Sequence, residues 1–267
     1  MTKFITSLQN PLIKNVLLLE EKPRERKNQN LIVIEGVRET RLALSSGFTV
    51  NTLFYCREFA SDKDLEALLS HDVSSFELIE VPAEIYNRIA YRKDCEGLVA
   101  LAIPKRILFR DLSLSRNPLI LVMESVEKPG NLGAILRTAD AGNLDAVIIC
   151  DPQTDIFNPN AIRSSIGCIF TMPVVTSTTE HTISWLRSNR LRMMATALSA
   201  NRFYHETDYR QPTAIIMGSE AHGLSQKWLD EADQLIKIPM RGKIDSMNVS
   251  ASAAVVVFEA LRQRNFS

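Results

Sequence analysis

Three short stretches in the second half of the chain place polar side chains where chemistry on a bound ligand is feasible. The first, Glu127-Lys128-Pro129-Gly130-Asn131-Leu132-Gly133, runs into a helical pattern that carries Arg137. Its glycines permit tight turns and a close backbone approach. Asn131 is of a type that caps helices, and Arg137 would then lie about one and a half turns further in. On its own this stretch also fits a capped helix with a surface arginine. The second, Met217-Gly218-Ser219-Glu220-Ala221-His222-Gly223-Leu224, combines two glycines with Glu220 and His222, both of acid/base type. On its own it fits any turn. The third, from Ile238 to Val249, contains Met240, Arg241, Gly242, Lys243, Ser246, Met247 and Asn248. Arg241 and Lys243 offer cations to a phosphate. Ser246 and Asn248 lie near a helix start, where one of them is expected to cap.

The elements that must position these loops follow from periodicity. Strands are predicted at 119–123, 147–150, 193–197, 214–217 and 235–238, and helices at 132–141, 160–169, 183–188 and 249–264. In the last helix, Val249, Ala253, Val256, Val257, Ala260 and Leu261 form one apolar stripe. Alternating strands and helices imply a parallel sheet covered on both faces, with ligands beyond the carboxyl ends of its strands. All three polar stretches follow predicted strands. The first hundred residues read as a smaller α/β unit, with strands at 31–34, 53–55, 77–81 and 98–103, a helix at 37–46 closed by Gly47, and another at 64–69. The polar, basic stretch 104–118 reads as the boundary, which gives a unit at 1–105, a linker at 106–117 and a second unit at 118–267.

Composition excludes several classes. Hydrophobic residues make up 45% of the 267, enough for a real core, and the formal net charge is zero. Any nucleic-acid site must therefore be a local patch. Residues 1–41 hold eight Lys/Arg against five Asp/Glu, whereas 58–84 hold eight acidic residues against Lys63 alone. Cys56, Cys95, Cys150 and Cys168 form no CxxC pair and the four His are scattered, so neither a zinc site nor a disulfide framework is expected. No signal peptide is visible, and no apolar run reaches the roughly 18–20 residues needed to span a bilayer. The expectation is a cytoplasmic protein with no metal and no membrane partner.

Together the three stretches resemble the SpoU (TrmH) family of RNA ribose 2′-O-methyltransferases, of the SPOUT class. Its first motif is similar to Asn131 through Arg137 with Thr138-Ala139. Its second is similar to Gly218-Ser219-Glu220 with Gly223-Leu224, and its third to Ile238-Pro239-Met240, Gly242 and Ser246-Met247-Asn248-Val249-Ser250. Asn158-Pro159, Arg163, Ser165 and Gly167 resemble its middle segment. The likeness covers about residues 118–264. More loosely, Ile5-Thr6-Ser7, Asn10-Pro11 and Val33-Ile34-Glu35-Gly36 resemble the family's L30e-like substrate-binding domain. Two departures stand out. Ala141-Gly142-Asn143 replaces the family's Ala-Phe-Gly, although Asn tolerates the left-handed backbone that such a turn needs. Met247 replaces a leucine, a swap that conserves volume.

The resemblance implies an α/β fold with a C-terminal trefoil knot, a homodimer, and S-adenosylmethionine as cofactor. It casts Leu198, Gly218, Ile238, Met240 and Met247 as the cofactor-binding residues, and Arg137, Asn131, Glu220, Ser246 and Asn248 as the catalytic set. Arg38, Arg41, Arg163, Arg241 and Lys243 are the RNA-binding candidates. The implied reaction is methylation of a ribose 2′-hydroxyl in RNA, with 23S (large-subunit) ribosomal RNA as first choice and tRNA as the alternative. A guanidinium is a demanding base, so Arg137 is expected to act as a cation for phosphate and developing alkoxide. One rival is a non-catalytic RNA-binding protein of the same fold, opposed by the intact polar set. A nicotinamide oxidoreductase is opposed by the lack of GxGxxG after any strand.

Overall fold

The computed structural model describes residues 3–69, 76–90 and 96–266. It divides into two compact units, Met1–Lys105 with Phe157–Thr171, and Arg106–Ile156 with Met172–Ser267.

In chain order the first unit contains β1 (Lys3–Phe4), α1 (Pro11–Glu21), α2 (Pro23–Gln29), β2 (Ile32–Glu35), α3 (Val37–Ser45), β3 (Thr49–Tyr55), α4 (Asp62–Leu69), β4 (Glu77–Glu80), α5 (Ala83–Ile89) and β5 (Leu98–Ile103). The sheet order is β1-β4-β3-β5-β2, mixed parallel and antiparallel. Periodicity missed α1, whose buried stripe is Ile13, Val16 and Leu19 and whose start is capped by Asn10, which accepts from the Leu12 amide at 2.9 Å. Cys95 lies outside the described residues.

The second unit is built from β6 (Leu119–Glu124), α6 (Pro129–Ala141) and β7 (Ala146–Cys150). The chain then supplies α7 (Pro159–Ser164) and α8 (Cys168–Thr171) to the first unit, and continues through β8 (Val174–Ser177), α9 (Thr179–Ser188), β9 (Arg192–Thr196), β10 (Arg202–Phe203), β11 (Thr213–Met217), α10 (Gln226–Glu231), β12 (Gln234–Lys237) and α11 (Val249–Gln263). All seven strands are parallel, in the order β10-β12-β9-β11-β6-β7-β8. Side chains alternate across a strand. Ile120, Val122, Ile148 and Ile216 therefore face the layer of α9 and α10, where Trp228 is fully buried. The opposite face takes α6 and α11, which pack on each other.

Three local expectations need correction. The helix expected over 160–169 is two helices, because Ile166 (φ 49°) and Gly167 (φ 85°) turn left-handed between them. A Cβ on Gly167 would lie 2.7 Å from Leu42 Cδ1, a contact that the Leu42 side chain would have to shift to relieve, so the positive φ is what chiefly favours glycine here. The stretch after Lys105 is not an unpacked linker. Ile107, Phe109, Leu112 and Leu114 pack against the second core, and Phe109 stacks on Trp185 with ring centroids 4.7 Å apart. Finally, α6 is capped differently from the expectation, as described below. Its end behaves as Asn143 predicts: Asn143 takes the left-handed angle (φ 48°), while Gly142 stays helical.

Among the described residues no helix is long and apolar enough to cross a membrane, and no group of three or more His, Cys, Asp or Glu could hold a metal. The described cysteines are buried, and burial pushes the Cys150 thiol up to about 12.

Candidate active site

The carboxyl ends of β12, β9, β11 and β6 lie side by side, and each leads into one of the singled-out loops. Leu198 follows β9, Gly218 follows β11, and Ile238 and Met240 follow β12. The backbone turns back on itself directly after β11. The Ser219 and Gly223 amides and carbonyls exchange hydrogen bonds at 3.0 Å each way. A Cβ on Gly218 would sit 2.1 Å from the Gly223 carbonyl carbon, so only glycine closes this loop. The rim above β9 and β12 is apolar: Leu198 is 65% exposed and Met247 39% exposed. Large apolar side chains left unburied on adjacent loops are of the type that can flank a planar ring.

A polar network joins the three loops. Asn248 is the N-cap of α11, and its Oδ1 accepts from the Ser250 amide at 3.0 Å and from the Ala251 amide at 3.4 Å. The cap fixes the side chain, so its Nδ2 points away from the helix. That group donates to Glu220 Oε1 at 2.6 Å and to Asn131 Oδ1 at 3.1 Å. The second Glu220 oxygen accepts from Lys128 Nζ. Lys128 foremost, helped by the Asn131 amide, holds the Glu220 carboxyl below the usual glutamate range. Glu220 is therefore a stable anion and a weak base. Through these bonds it holds Lys128 and Asn248 in place.

A second carboxylate, Glu124, closes β6 and is buried. It accepts from Thr179 Oγ1 at 3.1 Å, from Ser225 Oγ at 2.6 Å and from the Ser225 amide at 2.7 Å. It anchors the far end of the Gly218–Gly223 turn to the β6 edge. Beside this turn lies a cleft of about 460 Å³, lined by Ser125, Glu127, Gln153, Ser219 and His222 among others.

Comparison with known proteins decides the family. The SpoU rRNA Methylase family model matches residues 118–258, and the model of the MRM3-like substrate binding domain matches residues 10–100. The chain belongs to the SpoU family. It is 30% identical to the 23S rRNA (guanosine(2553)-2′-O)-methyltransferase RlmP of Bacillus subtilis strain 168, over 96% of this chain and 98% of that protein. It is 27% identical to the 23S rRNA (uridine(2479)-2′-O)-methyltransferase of Streptomyces viridochromogenes, over 93% of this chain and 88% of that one. The AdoMet-bound rRNA methyltransferase of Sinorhizobium meliloti superimposes with a TM-score of 0.90 at 29% identity, over 98% of both chains.

Against this SpoU framework, the structure brings Asn131, Glu220 and Asn248 together and leaves two candidates outside. Among the described residues, Ser246 bonds only to the neighbouring Asp245, at 3.1 Å. Arg137 lies on the same helix as Asn131, exposed to solvent, with no hydrogen bond or ion pair among the described residues. Asn131 is not a cap, because Pro129 at the first helical position moves the start of α6 back to Lys128. Asn131 thus sits inside the first turn, with its amide free to meet Asn248. Arg241 and Lys243 are exposed on the loop before α11. Arg38 and Arg41 are exposed on α3, and half-buried Arg163 on α7 belongs to the same unit as they do, donating to Asn160 Oδ1 at 2.6 Å. Sequence reasoning missed Lys128 and Glu124. The only signal for Glu124 is a carboxylate closing the apolar run Leu119–Met123. Lys128 had none, because its partner lies 92 residues away.

Proposed function

We propose that this chain transfers the methyl group of S-adenosylmethionine to a ribose 2′-hydroxyl of RNA, with large-subunit ribosomal RNA as substrate. The observation that carries the reading is the Asn131–Glu220–Asn248 network, set beside three strand-end loops in a chain of the SpoU family. Support for ribosomal RNA comes from the relatives, which act on 23S rRNA.

The loops after β9, β11 and β12 fit the cofactor. Leu198, Ile238, Met240 and Met247 would bound its adenine, and the tight turn at Gly218 would bring backbone groups against it. When bound, the sulfonium supplies an already activated methyl. The protein's task is alignment and stabilisation of charge. Asn131 and Asn248, each fixed by a partner, would orient the ribose, and Ser246 would approach it from the exposed loop before α11. Arg137 would stabilise the developing alkoxide and the flanking phosphate as a permanent cation. Arg38, Arg41, Arg163, Arg241 and Lys243 would take RNA phosphates. A second copy of the chain would complete the site around Arg137, making the enzyme a homodimer. The loops beyond β11 and β12 would form a trefoil knot. The setting would be cytoplasmic.

The test is calorimetry with S-adenosylmethionine, followed by methyl transfer to an unmodified large-subunit ribosomal RNA transcript. Donor binding and 2′-O-methyl incorporation are expected. Absence of both would overturn the reading, and incorporation into tRNA alone would overturn the choice of RNA.

A further inference from the structure

We infer that the cleft beside the Gly218–Gly223 turn receives the base of the methylated nucleotide, and that Glu127 reads it as guanine. The inference rests on the methyltransferase reading above and adds the identity of the target.

The cleft's position follows from the sheet. The proposed donor loops lie above β12, β9 and β11. The cleft lies on the other side of the Gly218–Gly223 turn, above β6 and β7. Between the two sides is a shallow depression lined by Lys128, Asn131 and Glu220, too small to enclose a sugar, over whose mouth the ribose would lie. Glu127 and Ser219 line both the depression and the cleft, so a base attached to that ribose passes directly from one to the other. The volume of about 460 Å³ falls within the range of small-molecule sites and admits a purine.

The lining chooses among bases. Glu127 is exposed, and its carboxylate makes no hydrogen bond among the described residues. Glu124 faces the same cleft, but its oxygens are taken by Thr179 and Ser225. Gln153 donates one of its two amide N–H groups to the Asp151 carbonyl at 3.1 Å, and its oxygen offers an acceptor. The wall is therefore rich in acceptors, with the exposed His222 ring as a donor at the rim. A carboxylate needs two adjacent N–H donors. Guanine alone presents such a pair, N1–H and the 2-amino group, on its Watson–Crick edge, with O6 beside them for a donor such as His222. Uracil flanks its single N–H with carbonyls that repel a carboxylate. Adenine and cytosine each put an acceptor next to their amino group.

The experiment maps the 2′-O-methyl mark placed on an unmodified large-subunit rRNA transcript, then uses a fragment carrying that site with guanosine or with inosine, which lacks the 2-amino group. The mapped nucleotide is expected to be guanosine, and inosine should lower kcat/KM roughly tenfold for the unsubstituted enzyme. Glu127→Ala should reduce guanosine turnover and narrow the guanosine-to-inosine ratio to about twofold, while calorimetric donor binding reports that the variant has folded. If it does not fold, Glu127→Gln, which keeps one acceptor, should narrow the ratio part of the way. A mark on any other base, or an unchanged ratio in a folded variant, would overturn the base assignment and leave the methyltransferase reading standing. No incorporation into any RNA would overturn both.

Discussion

Two site candidates on helix α6, Asn131 near its start and Arg137 about one and a half turns further in, are prepared in opposite ways. At its start, Asn131 is held by Asn248, and Lys128 by Glu220, so side chains from three loops are locked before any ligand arrives. Further along, Arg137 is exposed, with no hydrogen bond or ion pair among the described residues. Groups that define geometry gain from being fixed in advance, since each fixed rotamer removes an ordering cost from the bound state. A cation that must meet a phosphate and a developing alkoxide gains nothing from an internal partner, because an ion pair would have to be broken first.

The comparison breaks most sharply at Arg137. Arg137→Ala is expected to lower methyl transfer at least about a thousandfold while leaving donor affinity measured by calorimetry near its original value. Retained turnover would move the charge-stabilising role to another cation. At the prepared end, Asn248→Ala removes the α11 cap and both cross-loop bonds. Thermal unfolding should show a loss of about 1 kcal/mol from the cap alone, and kcat should fall roughly a hundredfold. Asn248→Asp sharpens the distinction. It keeps the cap but sets a second carboxylate against Glu220, so the cap's share of stability should return only in part, offset by like-charge repulsion, and kcat should not recover.

A smaller change is expected from Lys128→Met. Glu220 then loses the partner that most depresses its carboxyl, and its titration returns toward the ordinary glutamate range. The ionised form is the one that accepts from Asn248, so the acid limb of the pH–kcat profile should move to higher pH, with kcat at neutral pH down by about tenfold or less. An unmoved acid limb would show that Glu220 does not depend on Lys128. The smallest effect on turnover is expected from Glu20→Gln in the first unit, and the contrast there lies in stability. Burial first, then Glu35 and Glu21, push the Glu20 carboxyl up to about 8 from 4.5. The folded state therefore binds the proton more tightly than the unfolded one. Stability attributable to this group is present at low pH and is lost as pH rises from about 4.5 to about 8. Denaturant titrations across that range should show the decline, and Glu20→Gln should flatten it.

The elements that the sequence disclosed are those whose signal is local. The strands of the second sheet are short unbroken apolar runs, and α11 carries a full stripe, so periodicity alone locates them. The short edge strands β8 and β10 escaped, as did α10, because each holds only one or two apolar residues: Val174 and Val175, Phe203, and Trp228 with Leu229. The helix expected over 160–169 failed at Ile166, since a β-branched residue is the last type expected at positive φ.

By itself the sequence determined the fold class, the family and the three loops of the site, because residue type and order along the chain carry those signals. It also determined that Asn143 could close the turn after α6. What only the tertiary structure decided is which polar groups meet. Glu220 and Asn248 are 28 residues apart, and Asn131 and Asn248 are 117 apart. The structure also decided that Glu124 is buried under hydroxyl and amide donors while Glu220 is exposed and paired, and that Arg163 belongs with the first unit. Partner, burial and charge state are properties of the folded neighbourhood, and residue identity constrains them only weakly.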